Sequence, residues 1–130
     1  MIAACLRNMD AVGRWLAEHG FGTPRQPVTV VAAGERWPDG SLRPALEDLL
    51  GAGAVIAAIS EHGPGMLSPE AGAARACFEG TADLTSAVTD SASGRELAER
   101  GFADDIAIAV ETNSGRVVPV LTDRAFTAAT

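Results

Sequence analysis

The sequence predicts an α/β fold: one layered α/β/α domain, residues 1–130, around a small mixed or parallel sheet. Three observations carry this. Short apolar runs rich in β-branched residues alternate with longer stretches whose apolar residues recur at helical spacing. Turn signals built from Gly, Pro, Asn and Asp separate them. The length, 130 residues, suits one domain and is short for two.

In chain order, residues 2–6 (Ile-Ala-Ala-Cys-Leu) read as a buried strand. Residues 9–19 read as a helix with Met9, Val12, Trp15 and Leu16 on one face, stopped by Gly20 and Gly22. Residues 28–33, β-branched at their centre and bounded by Pro27 and Gly34, read as a second strand. A polar loop with an Asp39-Gly40 turn signal follows. Residues 45–59 form a helix apolar on most sides, hence buried; Gly51 and Gly53 within it mark a close approach or a break. Ser68 and Pro69 open an Ala-rich helix that runs to about Glu79. Residues 83–90 and 93–100 are two further helices, with Ser93 and Glu96 as a capping box for the second. Residues 102–111 fit both a strand and a helix period. Residues 116–121 are a strand after the Asn113-Ser114-Gly115 turn, and the tail from Thr122 is short and polar.

Composition narrows the function classes. Net charge is −7, with 17 carboxylates against 10 cations. That balance excludes a nucleic-acid backbone as the main partner, which needs a basic face. All ten cations are Arg, so any anion site is built locally from guanidinium groups and backbone N–H. Cys5 and Cys77 lack metal or redox spacing and read as buried small hydrophobes. His19 and His62 read as too few and too isolated for a zinc site. No signal-peptide pattern and no apolar run near about 20 residues appears, so the expected location is the cytoplasm, with no membrane partner.

The stretch from Val30 to Ala54, Val-Val-Ala-Ala-Gly-Glu-Arg-Trp-Pro-Asp-Gly-Ser-Leu-Arg-Pro-Ala-Leu-Glu-Asp-Leu-Leu-Gly-Ala-Gly-Ala, resembles the ComB-type 2-phosphosulfolactate phosphatase family. Cys5-Leu6-Arg7-Asn8, Ser93-Gly94-Arg95-Glu96-Leu97, Gly101-Phe102-Ala103-Asp104-Asp105 and Val118-Pro119 look like flanking pieces of the same family, taken from its C-terminal half. The upstream Asp-Val-Leu-Arg-Ala motif and Asn-Gly-Thr loop of that family do not occur. The chain therefore reads as a piece of something longer. The resemblance implies magnesium-dependent hydrolysis of a small anionic phosphate monoester, 2-phosphosulfolactate, within coenzyme M biosynthesis in some organisms.

Such chemistry needs oxygen ligands for Mg²⁺ and cationic donors for the substrate's anionic groups. Glu35, just past the end of an expected strand, and Asp48 are the catalytic candidates; Asp48 and Glu47 are the metal-ligand candidates. Glu47 would also stabilise a helix start through the macrodipole. Arg7, Asn8, Arg36, Ser41 and Arg43 are the substrate-binding candidates, Arg7 lying on the same edge as Glu35 if the first two strands are parallel neighbours. Surface ion pairing is the plain alternative for Arg7, and helix capping for Ser41. Three readings stay open: a phosphatase whose other half is separate, a non-catalytic anion-binding or oligomerisation module, and an unrelated nucleotide-binding domain. For the first two, an unpaired first strand predicts a homo-oligomer, a dimer.

Overall fold

In a computed structural model describing residues 1–129, the longest element is the helix α2, Leu46–His62, and everything else is arranged around it. Its residues from Gly53 to Ile59 are all buried. An all-round apolar helix has to be covered on several sides, and two neighbours do much of that. The helix α1, Met9–Glu18, crosses α2 where Gly13 faces Ala58; a Cβ on Gly13 would lie 2.8 Å from the Cβ of Ala58. On another side, α3, Pro69–Glu79, crosses where Gly53 faces Ala74. Gly53 thus marks a close approach and not a break, since α2 runs through it unbroken.

Three short helices follow: α4 (Leu84–Thr89), α5 (Ala92–Glu99) and α6 (Ala103–Ala109). Val88 and Ile106 close with Leu50 of α2 into one core cluster. The ambiguous segment 102–111 is therefore helical: Ile106 faces this core and Ile108 is exposed. The expected cap at Ser93 is corrected. Ser91 accepts the hydrogen bond from the Gly94 N–H at 3.0 Å, while Ser93 is buried inside α5.

The α/β class holds, as a layered α/β/α arrangement with, among the described residues, two small sheets, and in both the pairing is antiparallel. β1 (Glu35–Arg36) pairs with β2 (Leu42–Arg43) across the Asp39-Gly40 turn. β3 (Pro119–Thr122) pairs with β4 (Ala125–Ala128). Asp123 and Arg124 join the latter pair with φ of 49° and 68°, the two left-handed residues of a tight hairpin. The short polar tail from Thr122 thus supplies half of a hairpin.

Two expected strands need correction. At residues 2–6 the extended part is short: Ile2 bridges Val120 and the Ala3 N–H donates to the Pro119 carbonyl at 3.0 Å. Leu6–Asn8 then turns as a 3-10 helix. The first segment is therefore paired, antiparallel, to β3, which removes the unpaired first strand behind the dimer expectation. Residues 28–33 form no strand, because a strand needs a partner and none lies beside them among the described residues. Cys5, expected to be buried, is exposed at the start of the 3-10 turn. Val12, Leu16, Val55, Ile59 and Val118 make the second core, which ties α1 and α2 to the terminal sheet. Among the described residues, no helix is long and apolar enough to cross a membrane.

Candidate functional site

Polar groups collect at the two ends of α2. At its C-terminal end, Glu61 and His62 meet Asp10 from the first turn of α1. The crossing of the two helices brings them together: His62 Nε2 lies 2.8 Å from Asp10 Oδ1. One ligand atom from each of Asp10, Glu61 and His62 falls within 4.8 Å of the others. Arg14 donates to Asp10 Oδ2 at 2.6 Å, and the Asp10 N–H donates to Asn113 Oδ1 at 3.0 Å. The Asp10 carboxyl lies below its ordinary value, held there first by the hydrogen bond from His62 and then by Arg14. Two carboxylates and an imidazole are a donor set able to hold a divalent metal, and the imidazole suits a first-row transition ion better than magnesium.

Arg7 and Asn8 sit one turn before Asp10. Arg7 Nε donates to Ser114 Oγ at 2.9 Å and its NH2 group lies 3.3 Å from Glu111. Arg7 and Asp10 thus contact the same 111–114 segment. Asn8 is buried. Its Oδ1 accepts from the Cys5 N–H at 2.9 Å, and its Nδ2 donates to the carbonyls of Val117 and Ala3 at 3.1 and 3.4 Å. All of its side-chain polar atoms are engaged with backbone.

The other end of α2 holds the remaining sequence candidates. Arg43 is only 9% exposed. Its guanidinium makes two hydrogen bonds to Glu96, at 3.0 and 2.9 Å, approaches Glu35 at 3.3 Å, and lies over the Trp37 ring at 4.8 Å. The carboxylates raise the Arg43 pKa, Glu96 contributing most through its hydrogen bond. Glu35, Arg36, Arg43, Ser93, Glu96 and Arg100 line a cleft of about 400 Å³. Glu47 Oε2 is buried with no hydrogen-bond partner among the described residues. Asp48 Oδ2 accepts the Gly34 N–H at 2.7 Å, fixing the loop that leads into β1. Ser41 does not cap α2; its N–H and hydroxyl both donate to Asp39 Oδ1, at 2.9 and 2.6 Å, which lowers the Asp39 pKa. The residue before α2 is Ala45, whose side chain caps nothing.

These are two places, not one. The 17 residues of α2 span about 25 Å at the helical rise. Arg7 therefore lies by the Asp10 cluster and not beside Glu35, because residues 1–8 and 28–36 are not neighbouring parallel strands. The structure brings Glu35, Arg36 and Arg43 together, with Asp48 and Glu47 at the adjoining helix start. The sequence reading missed Asp10 and Glu61 and set His62 aside. The available signal was a Glu-His pair closing an apolar helix, silent until that helix is paired with α1.

Comparison with known proteins agrees with the sequence. Residues 1–124 match the family described as 2-phosphosulpholactate phosphatase. A protein described as a probable 2-phosphosulfolactate phosphatase, from Pseudothermotoga lettingae, is 30% identical over 128 residues, 97% of this chain and 50% of that protein. The chain spans about half the length of the curated relative it matches. With nearly every residue inside the match, this chain belongs to the 2-phosphosulpholactate phosphatase family.

Proposed function

We propose that this chain contributes the metal-binding part of a phosphoric monoester hydrolase acting on a small anionic phosphate ester, with 2-phosphosulfolactate as the substrate to test first. The observation that carries this is the convergence of Asp10, Glu61 and His62 beside Arg7, within a chain of this family. A bound divalent ion, Mg²⁺ or Mn²⁺, would be held by Asp10, Glu61 and His62 and would supply charge neutralisation at the phosphoryl oxygens. Arg14 keeps Asp10 ionised and oriented. Arg7, released from Glu111, has a planar guanidinium suited to a carboxylate or sulfonate on the same substrate. Asn8 shapes the backbone on which Arg7 stands.

The test is phosphate release from 2-phosphosulfolactate by the purified chain, with Mg²⁺, with Mn²⁺ and with EDTA. Metal-dependent release, abolished in Asp10→Asn and lowered at least about tenfold in Arg7→Ala, is the expected result. Release that ignores EDTA would sink the proposal. If Asp48→Ala silences turnover and Asp10→Asn does not, the metal belongs at the N-terminal end of α2, on Asp48 and Glu47. Glu35 would then be the base, and Arg36, Ser41 and Arg43 the substrate ligands. Phosphate binding without turnover would favour the non-catalytic anion-binding reading.

A further inference from the structure

The backbone of residues 28–33 makes no hydrogen bond to any other group among the described residues. Val28, Thr29, Val30 and Val31 are β-prone, and the segment has no ladder partner. Six consecutive residues of unpaired backbone offer their N–H and C=O groups for pairing with another strand. Val31 is 76% exposed.

The same segment forms one wall of an apolar trough of about 630 Å³. Val30, Leu49, Ala52, Ile56, Met66 and Ala74 are among the residues that line it. On α2, exposed Leu49 and half-buried Ala52 border it beside the buried Ile56, next to the α3 crossing where Ala74 also lines it. At Leu49 and Ala52 an otherwise covered apolar helix is left partly open to the trough. Met66, at its rim, is 73% exposed. The 30% identical relative has about as much polypeptide again beyond the part that this chain matches. The missing cover and the extra polypeptide correspond.

We propose that residues 28–33 and the trough beside them receive a β-strand from the half of the family's length that this chain does not span. The strand pairs its backbone with residues 28–33 and drops its apolar side chains against Leu49, Ala52 and Met66. This assignment concerns packing alone and stands or falls independently of the phosphatase reading. The occupant is an extended, apolar, alternating polypeptide segment, recognised mainly through main-chain hydrogen bonds.

The test is to co-express this chain with the half of the Pseudothermotoga lettingae relative that it does not match. Light scattering gives the stoichiometry and hydrogen exchange reads the amides of residues 29–33. A one-to-one complex is expected, with those amides slowed at least about a hundredfold relative to the chain alone. Met66→Asp, a change at an exposed residue that leaves the fold intact, weakens the complex at least about tenfold. Absence of a complex overturns the proposal, as does a complex in which residues 29–33 exchange as fast as before, or one indifferent to Met66→Asp. Protection of the same amides by self-association of the chain alone also overturns it, and assigns the trough to a second copy.

Discussion

Arg43 holds both carboxylate oxygens of Glu96, at 3.0 and 2.9 Å, joining β2 to α5 across 53 residues of sequence. Arg43 lowers the Glu96 carboxyl below its ordinary value of 4.5, chiefly by hydrogen bonding. The unfolded chain therefore takes up the proton more readily than the folded one. The stabilisation from this pair is complete above about pH 4.5 and lost as pH falls below it. We predict that the Tm gap between wild type and Glu96→Gln narrows from about pH 6 to about pH 3.5. The gap itself stays small, since Glu96 is half exposed to screening solvent. A gap that is constant or widens in acid would contradict this account.

A second prediction concerns metal alone. Mn²⁺ in roughly hundredfold excess over its dissociation constant stabilises the fold by about 2.7 kcal/mol if it binds only the native state. The Tm rise should vanish in His62→Ala and in Asp10→Asn, and EDTA should reverse it. A rise that survives in both variants places the ion elsewhere.

Gly51 and Gly53 are predicted to respond in opposite directions. A Cβ at Gly51 meets nothing within 4 Å, so Gly51→Ala gains helix propensity, about 0.5–1 kcal/mol. A Cβ at Gly53 would collide with the Ala74 carbonyl, so Gly53→Ala costs about 1–3 kcal/mol or more. Denaturant melts of the two variants decide it. Equal shifts would mean that α2 and α3 do not cross at Gly53.

Asn8→Ala leaves the Cys5 N–H and the Val117 carbonyl without their partner. The predicted loss is about 0.5–1.5 kcal/mol, the net worth of such hydrogen bonds, since Cys5 and Val117 are themselves exposed. An unchanged unfolding midpoint would show that water takes over those bonds.

The helices were legible because their signals are local. Ser68 and Pro69 mark the start of α3 where they stand, and the run from Gly53 to Ile59 announces burial by composition alone. Residues 28–33 were misread for the opposite reason. Their β-branched side chains satisfy a strand's preference, but a strand exists only beside another, and that neighbour is not encoded in the segment. The same limit hid Asp10 and His62, 52 residues apart, until helix packing set them 2.8 Å from each other. Arg43 and Glu35 were singled out as chemistry, yet the contacts of Arg43 with Glu35, Glu96 and Trp37 together were invisible to spacing.

The two ends of the chain are clasped: Arg7 bonds Ser114 and Asn8 bonds Val117, contacts that span 107 and 109 residues. Contacts of such separation carry the largest loop-closure cost, whereas α1, α2 and α3 are sequence neighbours. The order of assembly follows, and it predicts that the helical trio docks early and the clasp closes last. In stopped-flow refolding, Asn8→Ala should then speed unfolding and leave the folding rate nearly unchanged, while Gly53→Ala should slow folding itself.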